Sequence, residues 1–396
     1  MALIVQKFGG SSVADREGLY RAARLTADAC RAGDKVVAVV SAQGDTTDAL
    51  MAKALEITSH PAVRELDVLL SVGEQISIAL LCMALAELGV QAVSLTGWQA
   101  GVLTESRHTC ARIRQLAPDR VRRELQHCQA VVVAGFQGMD AQGDVTTLGR
   151  GGSDTSAVAL ACALGAQRCC IYTDVDGVYT ADPRLVPHAR PLREIPFAEM
   201  LELAGFGAGV LHPRSVELAL RYGMPLQVVS SLRPGEGTWV KERCLMEKMQ
   251  ISSVTGVPSA TLLRLPIDRD GALEQALQTI RQQHLSVLQT VYGGTECQFW
   301  LAGELPDVLR PLAEPSETSA EQTEPQTACL SLVGSGLDGG CGAVPLLLQT
   351  LREADAVPSA LTAGPLRVSV LLPASRLTAA LRAVHATFLE DTVRDI

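Results

Sequence analysis

The chain has 396 residues, a length that predicts two or three domains rather than one core. It is 47% hydrophobic and 19% charged, which excludes a disordered chain. A formal net charge of −9, no block of Lys or Arg and only 4% aromatic residues exclude a nucleic-acid footprint.

Residues 1–240 alternate β-rich runs with helical patterns. The runs ALIVQKF, KVVAVVS, QAVSLT, AVVVAGF, RCCIYTD and PLQVVSS predict strands, and stretches such as GLYRAARLTADACRAG and DTSAVALACALGA predict helices between them. Continuously apolar strands separated by helices imply an α/β fold with a mostly parallel sheet sandwiched by helices. The run ISIALLCMALAELGV contains Glu87 and predicts a buried helix. No apolar run of 18 residues is evident and the first residues already form a strand, so no membrane contact and no signal peptide are expected. The 11 cysteines are odd in number and lack CxxC spacing, which disfavours disulfides and zinc. Cys169 and Cys170 read as small buried hydrophobes in a reducing, cytoplasmic setting.

Residues 241–254 are rich in charge and read as a linker. Beyond it lie two similar small α+β units, 255–325 and 326–396, which could interleave. The acidic stretch LAEPSETSAEQTEPQT between them predicts a loop. GSGLDG, residues 334–339, matches GxGxxG but belongs to a unit too small for a dinucleotide fold, and reads as a turn.

Three loops could carry chemistry. In VQKFGGSSV, Gly9 and Gly10 allow close approach and positive φ. Their amides, with those of Ser11 and Ser12, could face an anion at the next helix start. Lys7 precedes the glycines, so this is not a Walker A loop; a tight turn with a surface lysine is the equally open alternative. In VTTLGRGGSDTSAVALA, Gly149, Gly151 and Gly152 flank Arg150 and precede the possible caps Ser153, Asp154 and Thr155. Two such loops suggest two anionic ligands, a phosphoryl donor and its acceptor. YTDVDGVYTADPR misses the spacing of a calcium loop and is either a solvated turn or a nucleotide segment.

VQKFGGSS, VVSAQGDTTD, LLSVGEQIS, TGWQAGVLT, VAGFQG, TTLGRGGSDTSAVALA, YTDVDGVYTADPR and GVLHPRSVELA occur in that order. Together they resemble the aspartate kinase family over residues 1–240. The resemblance implies an amino acid kinase fold followed by two ACT-like domains, and transfer of the ATP γ-phosphoryl group to the side-chain carboxylate of L-aspartate. That is the first step of lysine, threonine and methionine biosynthesis. It also implies Mg²⁺, and a homo-oligomer formed through the ACT units.

The resemblance gives Lys7 and Asp154 the catalytic roles. ATP would be bound by Lys7, Phe8, Gly9, Gly10, Ser11, Thr173, Asp174, Tyr179, Arg184, Gly209 and Val210. L-aspartate would be held by Arg150 on its α-carboxylate and Glu74 on its ammonium, with Ser41, Thr47, Phe136, Gly151 and Ser153 nearby. Glu74 argues for a free amino acid over an acylated one.

Two departures from the family stand out. Gly209 occupies a position where the family commonly has lysine near the nucleotide. The effector turns, DRDGALEQ and GLDGGCGAV, have lost the usual Pro-Gly and His-Pro-Gly patterns, which predicts weakened or altered feedback by amino-acid effectors. The alternatives are a non-catalytic amino-acid sensor and a kinase for another free acidic amino acid.

Overall fold

The computed structural model describes residues 2–242, 250–266, 271–293, 295–312, 326–337 and 342–390. The strands of the first part are β1 (Leu3–Phe8), β2 (Lys35–Val40), β3 (Ala92–Leu95), β4 (Val102–Thr104), β5 (Ile113–Leu116), β6 (Ala130–Ala134), β7 (Gln137–Met139), β8 (Val145–Thr147), β9 (Arg168–Thr173), β10 (Glu194–Pro196), β11 (Leu226–Ser230) and β12 (Thr238–Lys241). The helices are α1 (Arg16–Arg31), α2 (Thr46–Ile57), α3 (Val63–Leu70), α4 (Val72–Glu87), α5 (Asp119–His127), α6 (Gly152–Leu164), α7 (Phe197–Gly205) and α8 (Pro213–Tyr222).

An eight-stranded sheet runs β10-β12-β11-β9-β1-β2-β6-β3. Its central strands are parallel, and all six strands expected from the sequence lie in it. Both faces are apolar because both are covered. Ile4, Phe8, Val36, Ala38, Val40 and Val132 pack against Leu19 and Ala23 of α1 and Ile78, Leu81 and Leu85 of α4. Val5, Val37, Val39, Val131 and Val133 alternate with them along the strands and are equally buried. The register Phe8–Val40–Ala134, with Phe8 also beside Tyr172, brings the carboxyl ends of four strands level. The loops that follow them therefore share one edge, where ligands bind in sheets of this kind.

A second, four-stranded sheet, β5-β4-β7-β8, has no counterpart in the sequence reading. Its strands have only three or four residues, too few for an alternating pattern to register. The apolar stretch also proves longer than expected. α3 and α4 together form a helical run Val63–Glu87 that is long and apolar enough to cross a membrane by composition, but half of it is buried inside the protein.

The domain boundaries differ from those expected. Two compact units emerge: residues 1–178, 191–201 and 209–244 form the first, and 179–190, 202–208 and 245–396 the second. The second contains β13 (Gln250–Pro266), α9 (Ala272–Gln282), β14 (Val287–Tyr292), β15 (Glu296–Ala302), β16 (Thr327–Ser335), α10 (Ala343–Glu353), β17 (Ala360–Ala363), β18 (Arg367–Pro373) and α11 (Leu377–His385). They build one six-stranded sheet, β14-β15-β13-β16-β18-β17.

β13 begins at Gln250, inside the segment expected to be linker, and serves two cores. Val254 packs with Leu330, Leu347, Val370 and Leu381, whereas Leu263 and Leu265 pack with Ile280 and Phe299. The two halves of the six-stranded sheet thus share this strand. Residues 179–190 join the second unit because Val254 N–H donates to the Thr180 carbonyl and the Ser253 hydroxyl to that of Tyr179. The buried Thr180 hydroxyl meets His385 Nε2 at 2.8 Å, and His385 Nδ1 meets Glu390 at 2.8 Å. GSGLDG starts within β16, at Gly334 and Ser335. Its last two residues, the 313–325 part of the acidic loop, and parts of both effector turns lie outside the described residues.

Candidate active site

Lys7 is the penultimate residue of β1, and its Nζ lies 2.6 Å from Asp154 Oδ1 in the first turn of α6. Both side chains are 13% exposed, so the pair is sheltered from water yet reachable from the loop edge. The turn that follows lacks the left-handed backbone expected from the sequence. Neither Gly9 nor Gly10 has positive φ. Glycine is needed at position 10 because a Cβ would stand 2.9 Å from the Ala42 carbonyl oxygen. Ser11, which is exposed, opens a 3₁₀ turn of only three residues. α1 begins later and is capped by Asp15, whose carboxylate accepts from Gly18 N–H at 2.7 Å. Its amino end is therefore already occupied. Phe8 is fully buried and stacks on Tyr172 at 4.8 Å between centroids, so its side chain is core and only its backbone faces the edge.

The second Gly-rich loop does use left-handed backbone. Gly149 has φ +75° and Gly151 φ +66°. A Cβ on Gly151 would fall 2.1 Å from Cγ of His212, so this glycine lies flat on the imidazole. Ser153 packs against Gly135, and Gly152 against the ring of Phe136. Phe136 itself has φ +66° and is held by Ser156 and Leu148, its N–H donating to the hydroxyl at 3.1 Å and its carbonyl accepting at 2.8 Å. Arg150 is exposed at the tip.

Glu74 lies in the first turn of α4 and is 2% exposed. Its Oε1 accepts from Ala42 N–H at 3.1 Å, while Oε2 is buried with no hydrogen-bond partner. Burial pushes its carboxyl up to about 8, against the pull of the Ala42 N–H. An orphaned buried carboxylate oxygen is costly unless a cationic donor meets it. Ser41 follows β2, its N–H bonded to the Phe8 carbonyl at 3.1 Å, and the half-buried Thr47 stands in the first turn of α2.

The edge thus gathers Lys7, Gly9, Gly10, Ser41, Glu74, Phe136, Gly151, Ser153 and Asp154 through direct contacts or adjacent strand ends. Thr173 ends β9, and its hydroxyl bonds the exposed Asp174 at 3.0 Å. Gly209, with φ +60°, and Val210 precede α8. Tyr179 and Arg184 fall in the second unit, where Arg184 forks onto Asp182 at 2.8–3.2 Å.

Sequence reading missed His212. It caps α8, its Nδ1 accepting from Arg214 N–H at 3.3 Å, which leaves the neutral ring with its proton on Nε2. Burial, with Arg214 beside it, holds this imidazole below its usual range, and Asp154 opposes that shift. Its signal was the His-Pro pair opening a helix.

The amino acid kinase family matches residues 2–230. The chain is 42% identical to the aspartokinase of Geobacillus stearothermophilus, over 98% of this chain and 97% of that protein. It is 41% identical to the aspartate kinase of Pseudomonas putida, over 98% of each. Among solved structures, E. coli aspartokinase III in complex with aspartate and ADP (R-state) superposes with a TM-score of 0.82 at 26% identity, covering 98% of this chain and all of that one. The same protein in complex with lysine and aspartate (T-state) gives 0.77 at 27% identity, covering 98% and 99%.

Proposed function

The chain belongs to the amino acid kinase family and, within it, to the aspartokinases, and from that premise we propose how its residues phosphorylate L-aspartate. The reaction transfers the γ-phosphoryl group of ATP to the side-chain carboxylate, giving 4-phospho-L-aspartate for amino-acid biosynthesis. The observation that carries this reading is the sheltered Lys7–Asp154 pair beside a buried, half-unpartnered Glu74.

Phosphoryl transfer asks for alignment and charge neutralisation more than covalent chemistry. Lys7 meets the phosphoryl group in flight, and Asp154 fixes where its ammonium points. Glu74 Oε2 accepts the substrate ammonium, and the Arg150 fork takes the α-carboxylate. The acceptor carboxylate, with a pKa near ~4, is already ionised at neutral pH, so no general base is required. Thr173, Asp174, Gly209 and Val210 line the nucleotide side, with Tyr179 and Arg184 assigned by resemblance.

A magnesium ion would be held chiefly by the phosphates of the nucleotide. The donor set fits that arrangement: Asp154 is already matched by Lys7, and Asp174 is exposed and available to a phosphate-borne cation. The ion would neutralise charge on the phosphates. E. coli aspartokinase III has been crystallised with lysine; here an amino-acid effector would act at the interleaved ACT-like units, with the weakened response expected from their turns. Copies of the chain would pair through the same units, supported by exposed Val287, Val291 and Tyr292 on edge strand β14. A cytoplasmic location accords with this chemistry.

Purified protein with ATP, Mg²⁺ and L-aspartate should produce an acyl phosphate that hydroxylamine traps as the hydroxamate. L-glutamate in place of L-aspartate should produce far less. Folded, ATP-binding protein that forms no hydroxamate would refute the reading.

A further inference from the structure

One buried carboxylate outside the reacting groups is tied to the loop that carries Arg150. Asp67, on α3, has no exposed surface. Its Oδ1 accepts from the Thr147 hydroxyl at 2.6 Å and from Thr109 N–H at 3.1 Å. Its Oδ2 lies 3.0 Å from the same N–H and 2.9 Å from His108 Nδ1. Burying a carboxylate costs several kcal/mol unless such partners are in place. All of these partners come from outside α3.

They lead to the same place. Thr147 ends β8, directly before Leu148, Gly149 and Arg150. Thr109 has φ +65°, a strained conformation for a β-branched residue that persists only where its surroundings impose it. Its carbonyl oxygen lies 3.0 Å from where a Cβ on Gly149 would stand. Ala111 N–H donates to the Thr147 carbonyl at 2.9 Å, and Arg214 donates to the carbonyls of Leu148 at 2.5 Å and Ala111 at 3.1 Å. A loop with glycines on both sides of its arginine has little stiffness of its own. What holds it comes from residues 108–111, from Arg214 and, beneath them, from Asp67.

We propose that Asp67, together with His108, is a positioning residue for substrate binding: it sets the Gly149–Gly151 loop so that Arg150 meets the α-carboxylate of L-aspartate. This rests on the assignment of Arg150 above. Asp67 touches no substrate and acts through Thr147 and Thr109.

The test is steady-state kinetics of the full chain in the hydroxamate assay, with calorimetric binding of L-aspartate beside it. Asp67→Ala should raise the KM for L-aspartate on the order of 10-fold or more, since small misplacements of binding groups have effects of that size. The KM for ATP should stay within about 2-fold, the pattern of a lesion confined to one ligand. Asp67→Asn should recover most of the loss, because its amide oxygen still accepts from Thr147 and Thr109. Thr147→Val, nearly isosteric, removes one donor and decides the matter if Asp67→Ala does not fold. Folded variants with an unchanged KM for L-aspartate, or with both KM values rising together, overturn the proposal. If the unmutated chain forms no hydroxamate, this proposal and the reading of the function fall together; if it does and the variants are unmoved, only this proposal falls.

Discussion

Lys7 Nζ and Asp154 Oδ1 meet at 2.6 Å across the edge where β1 ends and α6 begins. Neither is exposed enough to be a surface pair and neither is fully buried, so the contact is both substantial and open to ligand. Lys7→Ala would leave Asp154 uncompensated beside the nucleotide phosphates. We expect kcat to fall on the order of 10²–10³-fold, the effect of removing one transition-state donor. The unfolding free energy should move by no more than about 1–2 kcal/mol. Hydroxamate kinetics and denaturant titration measure the two; retained activity would remove Lys7 from the mechanism.

Glu74 predicts a proton signal. Its carboxyl is pushed up to about 8, so the free protein largely holds that proton at pH 7. A substrate ammonium favours the ionised form. L-aspartate binding at pH 7 should therefore release up to about one proton. Calorimetry in buffers of different ionisation enthalpy reads this directly, and Glu74→Gln should abolish it. Stability has the matching sign. Between the ordinary carboxylate range and about 8, the unfolded chain has ionised while the folded one keeps its proton, so stability falls as pH rises across that window. A buffer-independent heat for the unmutated protein would contradict the assignment.

Gly151 tests the packing of the substrate loop. Gly151→Ala adds left-handed strain and a methyl 2.1 Å from His212 Cγ. Gly143→Ala has similar strain, at φ +89°, but opens into empty space. Strain alone costs about 1–3 kcal/mol, so Gly143→Ala should lose that much and Gly151→Ala clearly more. Combining Gly151→Ala with His212→Gly, which also removes the Cβ that would lie 2.3 Å away, should recover only the excess. Equal losses for both single variants in denaturant titration would show that the imidazole yields freely.

Feedback is the fourth expectation. Lysine and threonine together should slow the hydroxamate reaction by less than the ~5-fold of the weakest ordinary allosteric coupling. Strong synergistic inhibition would mean that the altered turns bind effector through backbone alone.

The parallel strands were legible because burial on both faces demands unbroken apolar runs such as KVVAVV and AVVVA. The loops were legible through residue types: GRGG needs glycine where φ is positive, and KFGG needs glycine beside the Ala42 carbonyl. The positive φ expected at Gly9 and Gly10 was wrong, and at Gly10 close approach, rather than handedness, requires glycine. The burial of the Phe8 side chain was not legible, because its place in a motif says nothing about which way its side chain points.

By its own order of residues the chain determined its α/β class and its family, and it supplied the motifs from which the roles proposed for Lys7, Asp154, Glu74 and Arg150 are read, since local periodicity and short motifs are written along one dimension. Tertiary structure alone decided that β13 serves two cores, that residues 179–190 join the second unit, that Gly151 rests on His212, and that Asp67 braces a loop 80 positions away. Each of these joins segments far apart in sequence by van der Waals contact or hydrogen bonds, and such pairings exist only once the sheet has brought the strand ends level.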